Sequence, residues 1–293
     1  MKNFLIVIFL ICFTVVNVSA QVTEQKTNQY LKIKSTSYPD FPPFSYLQQE
    51  GVIEYPVSIF FVAFEDALST NNVYTEYNFL SSYNDNVEQT RIGKTDILLG
   101  VYNETQNGFK NFDHIEYIFP AVLHNPVNLI MLNGKQTKIK NIDDLKNLRG
   151  IYVSSEYFSD YLYDRFKYLN AKPVNSALKA YEQLFLDKAD YIIGSYYYHY
   201  VSALQNGLKN YLSFSKKPLW NMPMFIGISK KSKYFNRLKI LLSKKVAEPS
   251  FADKIKEELK KQVHKFEQQT TGVVPPSFVS DSAPEEQTLD KDN

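Results

Sequence analysis

The chain holds few residues able to do covalent or metal chemistry, and they are scattered. Its four histidines, His114, His124, His199 and His264, stand far apart with no spacing that builds a metal site. Cys12 is the single cysteine, which excludes a disulfide framework and a thiolate zinc site. No glycine-rich phosphate loop, nucleophile elbow, paired-histidine zinc helix or calcium loop occurs in the 293 residues. No spacing of serine, histidine and acid sets up a triad, and no acid–base pair stands out. No catalytic residue, metal or cofactor is therefore expected, and the sequence reads as a non-enzyme. What it does offer is rings, with 22 Tyr and 21 Phe against one Trp. The densest run is Tyr196-Tyr197-Tyr198-His199-Tyr200. Alternate rings of such a run suit an amphipathic helix on a core. The other reading turns one or two of them into a ligand cleft, because they follow the carboxyl end of an apolar strand, where open α/β sheets bind ligands.

The elements that must carry these residues alternate. Tyr30 to Ser37 reads as a half-buried strand, and the three prolines between Tyr38 and Phe44 make an extended loop. Pro56 stands where a helix could begin, with Ile59, Phe60, Ala63, Phe64 and Leu68 behind it. Strand-like Tyr74 to Phe79, a short helix over Asn84 to Ile92 and the apolar Asp96-Ile97-Leu98-Leu99-Gly100 follow, the βαβ rhythm of a parallel sheet. The rhythm repeats through strands at Asn128–Leu132 and Gly150–Val153, helices led by Ser154-Ser155 and by Ala177, and Asp190-Tyr191-Ile192-Ile193-Gly194. That last pentapeptide echoes the one at Asp96 and suggests two similarly built lobes. A strand at Phe225–Ser229 and helices starting at Ser232 and Ser250 close the body.

Both ends lie outside that body. Lys2, the apolar run Phe4 to Val16 and Val18-Ser19-Ala20 before Gln21 read as a secretory signal peptide, too short to span a bilayer. The segment from Thr270 to Asn293 is rich in Ser, Pro, Gln and acid with net charge −4, and is expected to be disordered. A whole-chain charge of +2 without a basic tract gives no footprint for nucleic acid.

Laid out in order, these stretches resemble the periplasmic solute-binding proteins of the polar amino-acid type, the receptors of ABC importers, over about residues 30–266. Tyr38 to Tyr46 is similar to the family's PPF loop, and Arg91-Ile92-Gly93-Lys94-Thr95-Asp96 to its L-x-x-G-K-x-D. Glu116 to Pro120 resembles D-F-S-x-P-Y, and Ile139 to Tyr152 resembles I-x-x-x-x-D-L-K-G-K-x-V-G-V, the most specific stretch. Ala180 to Ile193 and Phe225 to Lys231 are similar to A-x-x-A-L-x-x-G-x-x-D-A and to the return strand with K-G-S. The resemblance implies an α/β, two-lobed type II periplasmic binding protein fold with two crossovers, near Leu123–Asn128 and Trp220–Phe225. Its parts would be a signal peptide (1–20), lobe one (21–123 and 226–266), lobe two (124–225) and a disordered acidic tail (267–293).

The resemblance also implies where a ligand sits: against Tyr38, Phe41, Phe44, Tyr102, Asn103, Lys110, Ser155, Glu156, Ser195 and Tyr196. Three of these depart from the family. The stretch Asn103 to Asn111 has Thr105 but no arginine to grip an α-carboxylate, and Lys110 is its nearest cation. Ser195 stands where an acid would receive the α-ammonium, and Ser155-Glu156 where Gly-Thr would open a helix. Tyr38 and Phe44 are expected to form an aromatic wall, and Glu156, if it faces the cleft, to favour a cationic or neutral solute. The implied function is delivery of a small solute to an ABC permease by a monomeric periplasmic protein with no membrane span after cleavage. The alternatives are a periplasmic sensory or interaction protein and, more remotely, a dehydratase-like enzyme on the same fold.

Overall fold

The alternation of Leu31, Ile33 and Ser35 inward with Lys32 and Lys34 outward makes the first strand, β1 (Leu31–Thr36), a strand with one buried face. The computed structural model describes residues 30–50, 53–69, 71–77, 82–102, 112–135, 139, 142–156, 158 and 160–282. The expected leader, Met1–Ala20, lies outside them, as do Asn103, Lys110 and the chain beyond 282.

After β1 the chain makes a two-stranded ribbon, β2 (Ser45–Glu50) and β3 (Ile53–Ser58), and then α1 (Ile59–Ser69). Pro56 therefore does not open a helix as the sequence suggested. It pairs opposite Leu47 in the ribbon, a two-stranded setting that tolerates its missing N–H, and the helix begins three residues later. β4 (Val73–Tyr77), α2 (Tyr83–Arg91) and β5 (Ile97–Tyr102) complete the first set of parallel pairs, with β1 between β4 and β5. Ser82 caps α2 by accepting from the Asp85 N–H at 3.1 Å.

β6 (Ile115–Leu132) is the longest strand, 18 residues against 10 and 5 in the strands on either side of it, and belongs to both halves of the molecule. β7 (Gly150–Val153), α3 (Asp160–Tyr168), β8 (Lys172–Val174), α4 (Ala177–Phe185), β9 (Tyr191–Ser195), α5 (Tyr196–Gln205) and β10 (Leu212–Phe214) build the second set on its carboxyl half. β11 (Trp220–Ser229) then returns antiparallel along β6 and joins β5, before α6 (Phe235–Val246) and α7 (Pro249–Gln269). The sheet runs β4-β1-β5-β11-β6-β9-β7-β8, with β10 also on β6. The two crossover segments expected from the sequence lie against each other: Trp220 is opposite Val127 and Met224 opposite Leu123. Beyond them the register jumps, so that Ile226 faces Ile118.

One apolar cluster runs through both sets, from Ile33, Phe60 and Leu99 through Leu129 and Ile193 to Leu242 and Leu259. A second lies on the other face of the carboxyl half, with Ile130, Ile151, Tyr181, Leu184 and Ile192. The segment expected to be a disordered tail from 267 is in part a structured one. α7 continues to Gln269, and a 3₁₀ turn at Ser277–Ser282 seats Val279, 6% exposed, in the second cluster while Phe278 meets Phe185 at 5.5 Å. Average composition concealed two adjacent apolar residues that suffice to anchor a turn.

Candidate functional site

The strand ends that should face a cleft are those of β1, β5, β7 and β9, and the residues just beyond them meet at the junction of the two lobes. Two layers form there. One is aromatic. Tyr38 stacks on Tyr83 at 4.2 Å with nearly parallel rings and leans on Tyr102 at 5.9 Å. Phe41 stacks on Phe44 at 5.0 Å and on Tyr198 of α5 at 5.5 Å, and Phe44 meets Tyr197 edge-on at 5.8 Å. The rings of the first lobe's loop thus touch the first turn of a helix belonging to the second. Tyr38, Phe41 and Phe44 are 2%, 4% and 0% exposed, so the expected aromatic wall is sealed rather than open. Burial and the neighbouring phenols push the Tyr38 phenol well above its ordinary range, so it stays neutral.

The other layer is polar and continuous. Glu156, 1% exposed, accepts a hydrogen bond from the Ser195 N–H at 2.7 Å through Oε2, and its Oε1 lies 2.7 Å from His199 Nε2. A carboxylate oxygen only accepts, so Nε2 carries the proton of that bond. The Tyr181 hydroxyl is 3.0 Å from His199 Nδ1 and 3.0 Å from the His199 carbonyl. From Ser195 the chain continues: its hydroxyl donates to Asn125 Oδ1 at 2.8 Å, and Asn125 Nδ2 donates to the Tyr102 hydroxyl at 3.0 Å. Side chains of β5, β6, β9 and α5, and of the turn after β7, are tied into one network across the hinge.

Gly194 makes the network possible. A Cβ there would lie 2.1 Å from His199 Nε2 and 2.9 Å from Glu156 Oε1, so only glycine lets the hydrogen-bonded pair lie on the strand.

These positions correct the expectation for Glu156. Its carboxylate does not face a cleft as an unpaired charge; it lies under the surface, held by one backbone and one imidazole N–H. An isolated buried carboxylate costs several kcal/mol, which is the reason for both donors. Tyr38, Phe41, Phe44, Tyr102, Glu156 and Ser195 are brought together, and Ser155 is exposed beside them, within reach of Tyr198. Tyr196 turns away from them, stacking on Tyr200 at 5.7 Å and meeting Phe214 at 5.3 Å. Asn103 and Lys110 lie outside the described residues. His199, Asn125, Tyr181 and Gly194 escaped the sequence reading. The run Tyr196–Tyr200 drew attention to its rings, while the partner of its histidine is 43 residues upstream.

As a chemical device the junction is a closed, hydrogen-bonded seam under a sheet of rings. Its acid and imidazole are 1% and 0% exposed in this arrangement, so neither meets solvent.

No protein-family model matches the chain, and no curated protein matches its sequence. Solved structures do. An amino acid ABC transporter substrate-binding protein from Streptococcus pneumoniae, bound to L-arginine, superposes with a TM-score of 0.59 at 14% identity, over 80% of this chain and 95% of that one. The GluR0 ligand-binding core with L-glutamate gives 0.59 at 15% identity, over 80% and 97%. A histidine kinase sensor domain with similarity to periplasmic binding proteins gives 0.57 at 14% identity, over 84% and 98%. The chain has the two-lobed α/β fold of these proteins.

Proposed function

We propose that the chain is an extracytoplasmic solute-binding protein whose lobes part and close on a small, amino-acid-like solute. The observation that carries the reading is the hinge. β6 and β11 cross between lobes as an antiparallel pair, and the ends of β1, β5 and β9 converge beside them. Open α/β sheets bind ligands at such carboxyl ends, and two-lobed proteins close around them. Solved neighbours with this fold hold L-arginine and L-glutamate, which supports the solute class. Entry of a solute would separate Phe41 from Tyr198, so ligand binding is coupled to opening of the ring layer. Because Glu156 is paired with His199, the ligand's charge is set by other residues, and the segment Asn103–Asn111 is the first place to seek them. Export follows from the leader at Met1–Ala20, with a mature start at Gln21 and a periplasmic location, and the partner is an ABC permease. Among the described residues no helix is long and apolar enough to cross a membrane.

A second reading, a sensory or interaction domain, draws on the kinase sensor domain that overlays 84% of this chain. A thermal-shift screen of the twenty common amino acids tests the first. A ligand at about a hundred times its dissociation constant adds about 2.7 kcal/mol to stability. Stabilisation by at least one, weakened in Phe41→Ala, supports solute binding. A flat response across the set, with a membrane kinase rather than a permease captured by the tagged chain in its own cell envelope, overturns it.

A further inference from the structure

The carboxyl-terminal segment joins the two lobes a third time, apart from the two hinge strands. α7 lies on the first lobe. Its Lys254 pairs with Asp66 of α1 at 2.6 Å, the Tyr46 hydroxyl of the ribbon donates to Gln262 Oε1 at 2.7 Å, and Lys265 Nζ donates to Gln48 Oε1 at 2.5 Å. Near the end of the helix Phe266 is buried in a small cluster with Tyr46 from one lobe and Val201 of α5 from the other. The segment that follows is seated on the second lobe. Val273 to Pro275 run over Gly207, just past α5, so closely that a Cβ there would lie 2.7 Å from the Val273 carbonyl oxygen. Phe278 and Val279 then join the cluster that holds Tyr181, Leu184 and Phe185 of α4.

Little slack separates these two attachments. The Thr270 N–H and hydroxyl both donate to the Phe266 carbonyl, and the Val273 N–H closes a turn on the Thr270 carbonyl at 3.2 Å. A hydrogen-bonded turn does not lengthen as a flexible linker would. Lobes that open about a hinge move as rigid bodies. Parting them then has to pull Phe266 from Val201 or lift residues 273–282 from the second lobe. We propose that residues 270–282 are a latch that holds the lobes of the solute-free chain together. The proposal rests on the reading that the lobes part to admit a solute. It adds that the open, binding-competent population is set by a segment other than the junction itself, so that releasing the latch tightens apparent binding in proportion to the population gained.

Spin-label distances in the purified, dialysed full-length chain test this. The labels sit on Glu65→Cys in α1 and, in separate samples, on Lys167→Cys in α3 or Lys188→Cys after α4, all exposed positions, with Cys12→Ser in the background. Two variants release the latch from opposite sides. Phe278→Ser with Val279→Ser removes its apolar anchors. Gly207→Asn keeps the φ of +67°, which asparagine tolerates, and sets a side chain against the Val273 carbonyl. Each should raise the long-distance population about tenfold, the worth of one buried aliphatic side chain. If one does not fold, the other decides alone. A wild-type chain already at the long distances, or a folded latch variant with both distances unchanged, overturns the proposal. Phe41→Ala, which loosens the ring layer and leaves the latch intact, tells the two failures apart. Distances that lengthen there but not in the latch variants strike the latch alone; distances that stay short in every variant strike the parting of the lobes as well.

Discussion

The lobe junction and a groove on the flank of the second lobe, lined by Asn128, Tyr196, Tyr200 and Phe214 among others, are built from the same residue types, tyrosines with an amide and a few polar groups, yet their amides end in opposite states. At the junction Asn125 gives both ends of its amide to neighbours, Ser195 and Tyr102. In the groove Asn128, three residues along the same strand, uses only its Nδ2. The loop rings Tyr38, Phe41 and Phe44 are almost wholly buried, whereas Tyr196, Tyr200 and Phe214 are half-buried, as are Tyr197 and Tyr198 on the helix side of the junction. Satisfied polar groups under packed rings hold a structure together, whereas a buried acceptor left unpaired is a cost that the surrounding contacts must offset. The difference is one of partners rather than of composition.

The largest effect should come from breaking the buried pair. Glu156→Leu leaves the Ser195 N–H and His199 Nε2 buried without their acceptor and is expected to cost about 1–3 kcal/mol for each of the two in urea unfolding. Combining it with His199→Phe should recover part of that loss, as replacement of both partners of a buried polar pair by apolar groups does; a double variant no better than the single would show that the seam is held by something else. Next is Phe44→Ala. At 0% exposure, with Phe41, Phe60 and Tyr197 around it, this ring should cost about 3–5 kcal/mol, the scale of a core phenylalanine. A cleft wall open to a ligand would lose far less. A matched pair of smaller changes sharpens the contrast. Tyr102→Phe removes a buried hydroxyl from the seam and should cost about 1 kcal/mol. Tyr200→Phe removes an exposed hydroxyl that donates to Glu267 at 2.6 Å and should fall within about 0.5 kcal/mol of the wild type.

The smallest effect, away from both regions, sets a baseline. The Arg149 guanidinium, 2.7 Å from Asp190, and the Arg149 N–H hold the Asp190 carboxyl below the usual carboxylate range. A depressed folded pKa contributes stability above the ordinary aspartate value of about 4 and loses it as pH falls through the folded value. Asp190→Asn should therefore be slightly less stable than wild type at neutral pH, and the gap should close in acid; thermal melts across that range check it.

Much of the fold is legible because its strands obey simple patterns. β1 alternates, β5 and β9 are short apolar runs opening with Asp and broken by Gly, and the helices at Ala177 and Pro249 begin within a residue or so of where capping and spacing place them. The ribbon β2–β3 was not legible, since its Pro56 reads equally as a helix opener, and three-residue β8 and β10 are too short to carry a pattern. At the site, sequence order finds the loop and strand ends, so Tyr38, Phe41, Phe44, Tyr102, Glu156 and Ser195 do come together. It does not find direction. Whether Glu156 points out or in depends on Gly194 leaving room for His199, and that close approach joins the turn after β7, strand β9 and helix α5.

The placement of β11 has a consequence for how the chain acquires its structure. It is the last strand in the sequence before the two final helices, yet it lies in the middle of the sheet, between β5 and β6. Ile97 waits for Ile228, and until residues 220–229 exist the first lobe has no inner neighbour for β5. The second lobe is different, since β6 through β10 are consecutive in sequence. Long-range pairing is slow because the loop must close before contacts reward it, so the nascent chain keeps its first lobe unfinished until β11 has been made. A chain ending near residue 215 would hold a complete set of second-lobe strands and an open first sheet edge, and it would remain threadable from its amino end.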